Sequence, residues 1–325
     1  MSLSVERWGP QLVRRGGRMG KQLLSILTVL FMLPALGFVV ACQSEAIPAQ
    51  QGPKAARLNI LAVETSLADI AQNVVGDRSE VDALMPIGVD PHGFEPTPGD
   101  VTRLVNADVL ITNGAGLETS LDKLIQGVGG EHQVIEASAG LTARIGHEGE
   151  VDPHFWLDPN YVVRYVENIR EGLIRADPEG SATYTANAAA YTAQLRELDS
   201  WIAAQVEKIP TERRLLVTNH ESLGYFADRY GFRIVGTILP SVSTGSSPSA
   251  QQVAALVEQI RADHVAAIFL ETGANSQLAE QIAQEAGVQV VTELYTHSTT
   301  EPGGPAPTYI EMMKYDTRTI VNALG

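Results

Sequence analysis

Four histidines, His92, His154, His220 and His297, stand where a strand pattern gives way to a loop or turn, two in each half of the chain. His92 lies in Asp90-Pro91-His92-Gly93-Phe94-Glu95-Pro96, and His154 in Asp152-Pro153-His154-Phe155-Trp156-Leu157-Asp158-Pro159. His220 follows an apolar strand in Asn219-His220-Glu221, and His297 follows another in Tyr295-Thr296-His297-Ser298. Imidazole suits zinc, copper and nickel and serves magnesium or calcium poorly. A ligand set drawn equally from two halves predicts a site at their interface, able to close on an ion and release it. His132, His147 and His264 sit in polar connections and read as ordinary surface residues. Carboxylates near the ligands can accept the second ring N–H of an imidazole, and Glu95, Glu221 and Glu271 are the candidates.

The elements that must position these side chains alternate. Residues 58–63, 81–85, 109–112 and 134–135 read as short strands, with helices opening at Ser66-Leu67-Ala68-Asp69 and at Thr97-Pro98-Gly99-Asp100 and a third over residues 118–127. The second half repeats the theme, with strands at 215–218, 233–236, 267–270 and 288–291. Helical patterns over residues 222–230, 249–262 and 276–286 lie among them, and a last helix spans about residues 308–323. Strands alternating with helices predict an α/β fold of two lobes, each with a mostly parallel four-stranded sheet. Ligands of such sheets lie beyond the carboxyl ends of the strands, where the histidines fall. Between the halves, Tyr184, Ala188, Tyr191, Leu195, Leu198, Ile202, Val206 and Ile209 step by four and three with no Gly or Pro among them. One long helix over residues 182–209 would be roughly 40 Å long and would form a strut packed against both lobes. The expected N-terminal lobe is then residues 57–181 and the C-terminal lobe residues 210–325.

Residues 1–41 carry a basic stretch (Arg7 to Lys21), an apolar run from Leu23 to Val40, and a small residue before Cys42. This is the pattern of a secretory signal, with a plain membrane anchor as the alternative. The polar segment 42–56 with Pro48, Gly52 and Pro53 reads as a flexible tether. Cys42 is the one cysteine, so neither an internal disulfide nor a thiolate metal site can form. Beyond residue 41 the chain keeps 18 basic against 37 acidic residues, a net charge of −19. That excludes nucleic acid as a partner, which would want a basic patch.

The segments Val89 to Pro98, Asp152 to Pro159 and Asn219-His220-Glu221-Ser222-Leu223-Gly224-Tyr225-Phe226 resemble the cluster A-I (cluster 9) metal-binding lipoproteins, the solute-binding proteins of zinc and manganese ABC transporters. Pro307 to Tyr315 and Tyr184 to Leu198 are similar to that family too, so the resemblance spans residues 57–325. It implies two four-stranded α/β lobes joined by a long helix, with metal between them. It implies a signal of the lipoprotein kind, with lipid on Cys42 and a monomer held at the outer face of the cytoplasmic membrane. The implied partners are a membrane permease and its cytoplasmic ATPase. His92 and His154 correspond to the family's two N-lobe ligands and His220 to the third, where His is typical of zinc binders. The family's fourth ligand is usually Asp; here His297 stands in its place. If His297 is not a ligand, water or one of the three carboxylates completes the site. Four neutral imidazoles favour Zn2+, or copper or nickel, over Mn2+, which prefers oxygen donors. The rival class is a zinc-dependent hydrolase, which needs an open coordination position. Four histidines closing a tetrahedron leave none, and no His-Glu-x-x-His or Gly-x-Ser-x-Gly pattern is present. No catalytic residue is expected.

Overall fold

The computed structural model describes residues 57–127, 132–147 and 149–325. The expected signal, Cys42 and the tether lie outside the described residues. Two four-stranded sheets carry the fold, all of their strands parallel. The first comprises β1 (Ile60–Ala62), β2 (Val81–Ala83), β3 (Val109–Thr112) and β4 (Gln133–Glu136) in the order β2-β1-β3-β4. The second comprises β5 (Leu215–Thr218), β6 (Arg233–Thr237), β7 (Ala267–Glu271) and β8 (Gln289–Leu294) in the order β6-β5-β7-β8. The two orders are the same. Central strands β1, β3, β5 and β7 are buried along their whole length, whereas the edge strands are part exposed. A parallel strand covered on both faces must be apolar throughout, which is why Val-Leu-Ile-Thr and Ala-Ile-Phe-Leu read clearly as strands.

Helices α1 (Thr65–Val75), α2 (Pro98–Val105), α3 (Thr119–Gly127) and α4 (Pro159–Ala176) belong to the first half. Helix α2 starts as expected, with Thr97 and Asp100 forming a reciprocal capping box. Helix α1 differs from the reading of Ser66 as a cap. Glu64 is its N-cap, Ser66 is buried inside the first turn, and the Asp69 carboxylate accepts the backbone N–H of Tyr309. Helix α4 was not anticipated. Its Val162, Tyr165, Val166, Ile169 and Leu173 form a buried stripe, and Asp158 caps it ahead of Pro159.

Helix α5 (Ser181–Val206) runs 26 residues, about 39 Å at 1.5 Å per residue. It buries Tyr184, Ala188, Tyr191, Leu195, Leu198, Ile202 and Val206. These pack against α1 and α4 on one side and against α6 (Gly224–Tyr230) and α9 (Tyr309–Leu324) on the other. One apolar core therefore runs from the first sheet through α5 to Leu216, Ala267 and Phe269 of the second sheet and Met312 and Met313 of α9. The opposite face of the second sheet, with Leu215, Val217, Ile268 and Leu270, packs separately under α7 (Ala250–Ala262) and α8 (Ser276–Ala286). The alternation 215, 217 against 216 is the period of two of a strand.

Candidate metal centre

All four histidines converge. Their ligand nitrogens lie within 4.8 Å of one another. Nε2 of His154 is 3.2 Å from Nε2 of His92, 3.2 Å from that of His297 and 3.3 Å from that of His220. Tetrahedral zinc with Zn–N bonds of about 2.0–2.1 Å sets its ligand nitrogens about 3.3 Å apart. His220 is two residues past β5 and His297 three past β8, at the carboxyl ends expected for a ligand site. His92 lies in a 3-10 turn, Pro91–Gly93, well beyond β2. His154 differs from the strand-edge reading: it immediately precedes the 3-10 turn Phe155–Leu157, which leads into α4.

Both N-lobe histidines sit in the tripeptide Asp-Pro-His, and in each the Asp carboxylate accepts the backbone N–H of the His two residues on. This Asx-type turn fixes the direction of the ring. The two Asp residues then diverge. Asp152 Oδ1 also lies 2.9 Å from His154 Nδ1, so that ring nitrogen carries the proton and donates, leaving Nε2 as a bare lone pair. Asp90 instead gives its second oxygen to the Thr244 hydroxyl. Tyr225 donates its hydroxyl to the Asp152 carbonyl, and Gly224 lets α6 approach: a Cβ there would meet Arg144 Nε at 2.6 Å and Asp152 Oδ2 at 3.0 Å.

Glu271 serves the other pair. Its Oε1 is 2.9 Å from His220 Nδ1 and its Oε2 is 3.6 Å from His297 Nδ1. The first approach is a close ion contact. Ser222 pins the carboxylate by donating to Oε1 at 2.8 Å. Trp156 lies beneath, its ring 5.2 Å from His154 and 5.9 Å from His297, and its Nε1–H donates to the Thr296 carbonyl at 2.7 Å.

Burial drives the imidazolium pKa of His154 and of His297 well below the ordinary value, and lowers His92 to about 4. His220 goes the other way. Burial opposes its charge, but the carboxylates of Glu271, foremost, and of Asp90 and Asp152 together outweigh burial and raise it. Glu271 is correspondingly lowered: burial raises it, and His220, with help from His297 and the Ser222 hydroxyl, more than offsets that. Burial pushes Asp152 up to about 6, against the N–H of His154 and the charge of Arg144. Three rings are therefore neutral at pH 7 and present lone pairs to one point, an arrangement that only a cation relieves. Two buried carboxylates, Asp152 and Glu271, stand behind the rings, Asp152 also facing the Arg144 guanidinium.

A family model, ZnuA, the periplasmic zinc-uptake complex component A, matches residues 60–323. The chain belongs to this family. It is 36% identical over 269 residues to the manganese-binding lipoprotein MntA of Halalkalibacterium halodurans, covering 82% of this chain and 89% of that one. It is 32% identical over 288 residues to the iron-binding protein YfeA of Yersinia pestis, covering 87% and 92%. Among solved structures, the periplasmic zinc-binding protein TroA of Treponema pallidum superposes with a TM-score of 0.77 at 30% identity, covering 83% of this chain and 99% of that one. As a member of the ZnuA family, the chain is a metal-binding substrate-binding protein of an ABC transporter, a receptor for metal transport and not an enzyme. That role implies an extracytoplasmic position and a permease and ATPase as partners.

In this ZnuA-family member the candidate carboxylates separate. Glu271 reaches two of the rings. Glu95 is exposed, and among the described residues no hydrogen bond or ion pair joins it to any of the four. Glu221 turns away, and its Oε2 accepts the backbone N–H of His147 at 2.9 Å. Asp152, which sequence reasoning did not single out, takes the place intended for them. Its signal was the repeated Asp-Pro-His tripeptide. His147 and His264 are exposed and His132 is half-buried, and none of the three joins the cluster.

Proposed function

We propose that this chain captures one zinc ion between its lobes through His92, His154, His220 and His297 and delivers it to a membrane permease driven by a cytoplasmic ATPase. The convergence of four ring nitrogens at 3.2–3.3 Å around His154 Nε2 carries the reading. An all-nitrogen set with no carboxylate among the ligands favours zinc over manganese. The two carboxylates neutralise the ion from behind the rings, through Nδ1. Residues 57–181 and 210–325 act as the two lobes and residues 182–209 as the link. The lipid on Cys42 holds a monomer at the outer face of the cytoplasmic membrane. Manganese is the second reading, favoured by the similarity to a relative named manganese-binding.

Competitive titration of zinc and manganese on metal-free protein beginning at Gln43, with His297→Ala and His297→Asp alongside, tests this. Zinc should bind at least a hundredfold more tightly than manganese. His297→Ala should weaken zinc by one to two orders of magnitude, and His297→Asp should narrow the gap between the metals. A wild type that prefers manganese overturns the zinc assignment. Equal zinc affinity in wild type and His297→Ala removes His297 from the ligand set.

A further inference from the structure

The two halves meet around the metal centre along three seams. Behind the cluster three bonds join the halves: Trp156 Nε1 to the Thr296 carbonyl, buried, and, part-buried, the Thr299 N–H to Thr65 Oγ1 and the Tyr309 N–H to Asp69. To one side, residues 144–147 and 149–152 are held by Tyr225 and Asp228, by Ser241 on Glu150 and by Glu221 on the N–H of His147. The third seam is different. There the halves stand apart across a cleft of about 460 Å³, walled by Gly88, Val89 and Asp90 on one side and by Leu239, Thr244, Ser246 and Asn275 on the other, with His297 and Glu271 at its end. Among the described residues, two hydrogen bonds join its walls: the Gly88 N–H donates to Ser298 Oγ, and, the one between two side chains, the Thr244 hydroxyl donates to Asp90 Oδ2.

That bond joins two pieces that each hold their own shape. Asp90 Oδ1 accepts the His92 N–H at 2.9 Å and caps the turn that aims His92. On the other side, Ser241 Oγ accepts from the Ser243 N–H and Ser243 Oγ from the Gly245 N–H, so the loop is braced by its own serines. A further brace, the Glu221 N–H donating to the Ser241 carbonyl, ties the loop to the residue after His220. The line Thr244–Asp90–His92 therefore runs from the C-terminal lobe to His92, which is part-buried, while its loop is tied to the neighbour of a second ligand. A hydrogen bond to a carboxylate is among the stronger neutral-donor bonds, yet a single one at a solvated mouth is breakable on the timescale of loop motion.

We propose that Thr244 is a positioning residue for metal capture: its hydroxyl latches the loop 239–248 to Asp90 across the mouth of the cleft and slows escape of the ion by holding the His92 turn against the C-terminal lobe. This rests on the metal-receptor reading above. Thr244 touches no metal, so its effect is on rate and ring placement and leaves the ligand set intact. Thr244→Val keeps the shape and removes the donor; Thr244→Ser keeps the donor.

The test is stopped-flow release of zinc into excess chelator from wild type, Thr244→Val and Thr244→Ser, with amide hydrogen exchange on the same three proteins free of metal. Thr244→Val should release zinc about tenfold faster, with an unchanged unfolding midpoint, and Thr244→Ser should return the rate to within about twofold of wild type, as expected of one hydrogen bond to a charged acceptor. In the metal-free proteins, Thr244→Val should speed exchange across residues 88–94, and Thr244→Ser should not. Unchanged release and unchanged exchange in Thr244→Val overturn the latch. A wild type that binds neither zinc nor manganese overturns the receptor reading instead, and the exchange data then decide the latch by themselves.

Discussion

Metal affinity should fall with pH in steps of one proton and then two, not four. The perturbation is acidification from pH 7 to pH 5. Four ordinary histidines would each take a proton near pH 6.5, and binding at pH 5 would then have to expel about four. Here burial keeps His154 and His297 neutral throughout this range and His92 neutral down to about 4. His220 alone is raised, chiefly through Glu271, so it is the first of the four rings to take a proton as the pH falls. Asp152 takes a second proton below about 6. A protonated Asp152 donates to His154 Nδ1 in place of accepting from it, which moves the ring proton to Nε2 and blocks the lone pair that faces the ion. Binding weakens wherever the metal-free form holds protons that the metal-bound form has lost. Below about pH 6, where both groups hold a proton, the loss is about two decades per pH unit, about 2.7 kcal/mol. Zinc competition against a chromophoric chelator, with calorimetry in buffers of different ionisation enthalpy, counts the protons directly. Asp152→Asn should keep the first step and lose the second. Release of three or more protons at pH 5, or an affinity independent of pH, would refute the reasoning.

Two further outcomes can be checked. Glu271→Gln keeps the shape of the contact with His220 but removes the charge that raises it, so the one-proton step should move below pH 6.5 and zinc should bind more weakly at pH 7, read by the same titration. Leu198→Ala, in the fully buried seam of α5, should cost roughly 2–5 kcal/mol and lower the unfolding midpoint while leaving a single transition.

Much of the architecture was legible because its strongest features are simple patterns. The central strands are unbroken apolar runs, and α5 shows its stripe from Tyr184 to Val206 without an interrupting Gly or Pro. Helix α4 carries as clear a stripe, but it starts at Pro159, directly after a ligand motif rich in Pro and Asp that looks like loop. The cap of α1 was misplaced because Ser66 and Asp69 fit a capping pattern locally, whereas tertiary packing buries the serine and gives the aspartate to Tyr309. The four histidines could be picked from context, and their convergence depends on two sheets of like order facing each other. The partners of their second nitrogens were harder. Glu95 and Glu221 adjoin ligand motifs in sequence, yet one faces solvent and the other a neighbouring loop. Glu271 lies 51 residues from His220 and reaches it because β5 and β7 pair side by side. A contact between adjacent parallel strands leaves no mark in local spacing.

The core that passes from the first sheet through α5 into α9 gives the molecule an unusual thermodynamic unity. Two lobes of matching strand order suggest two independently melting bodies, but neither has a closed apolar interior of its own on the face toward the link. Separated, each would expose the tyrosines and leucines of α5 to water. The chain should therefore melt cooperatively, and an ion bound at the proposed four-histidine centre would protect the whole fold from unfolding in proportion to the logarithm of metal concentration. Occupancy and lifetime against proteolysis would then be coupled, so that a receptor short of its ion would also be the one most readily degraded.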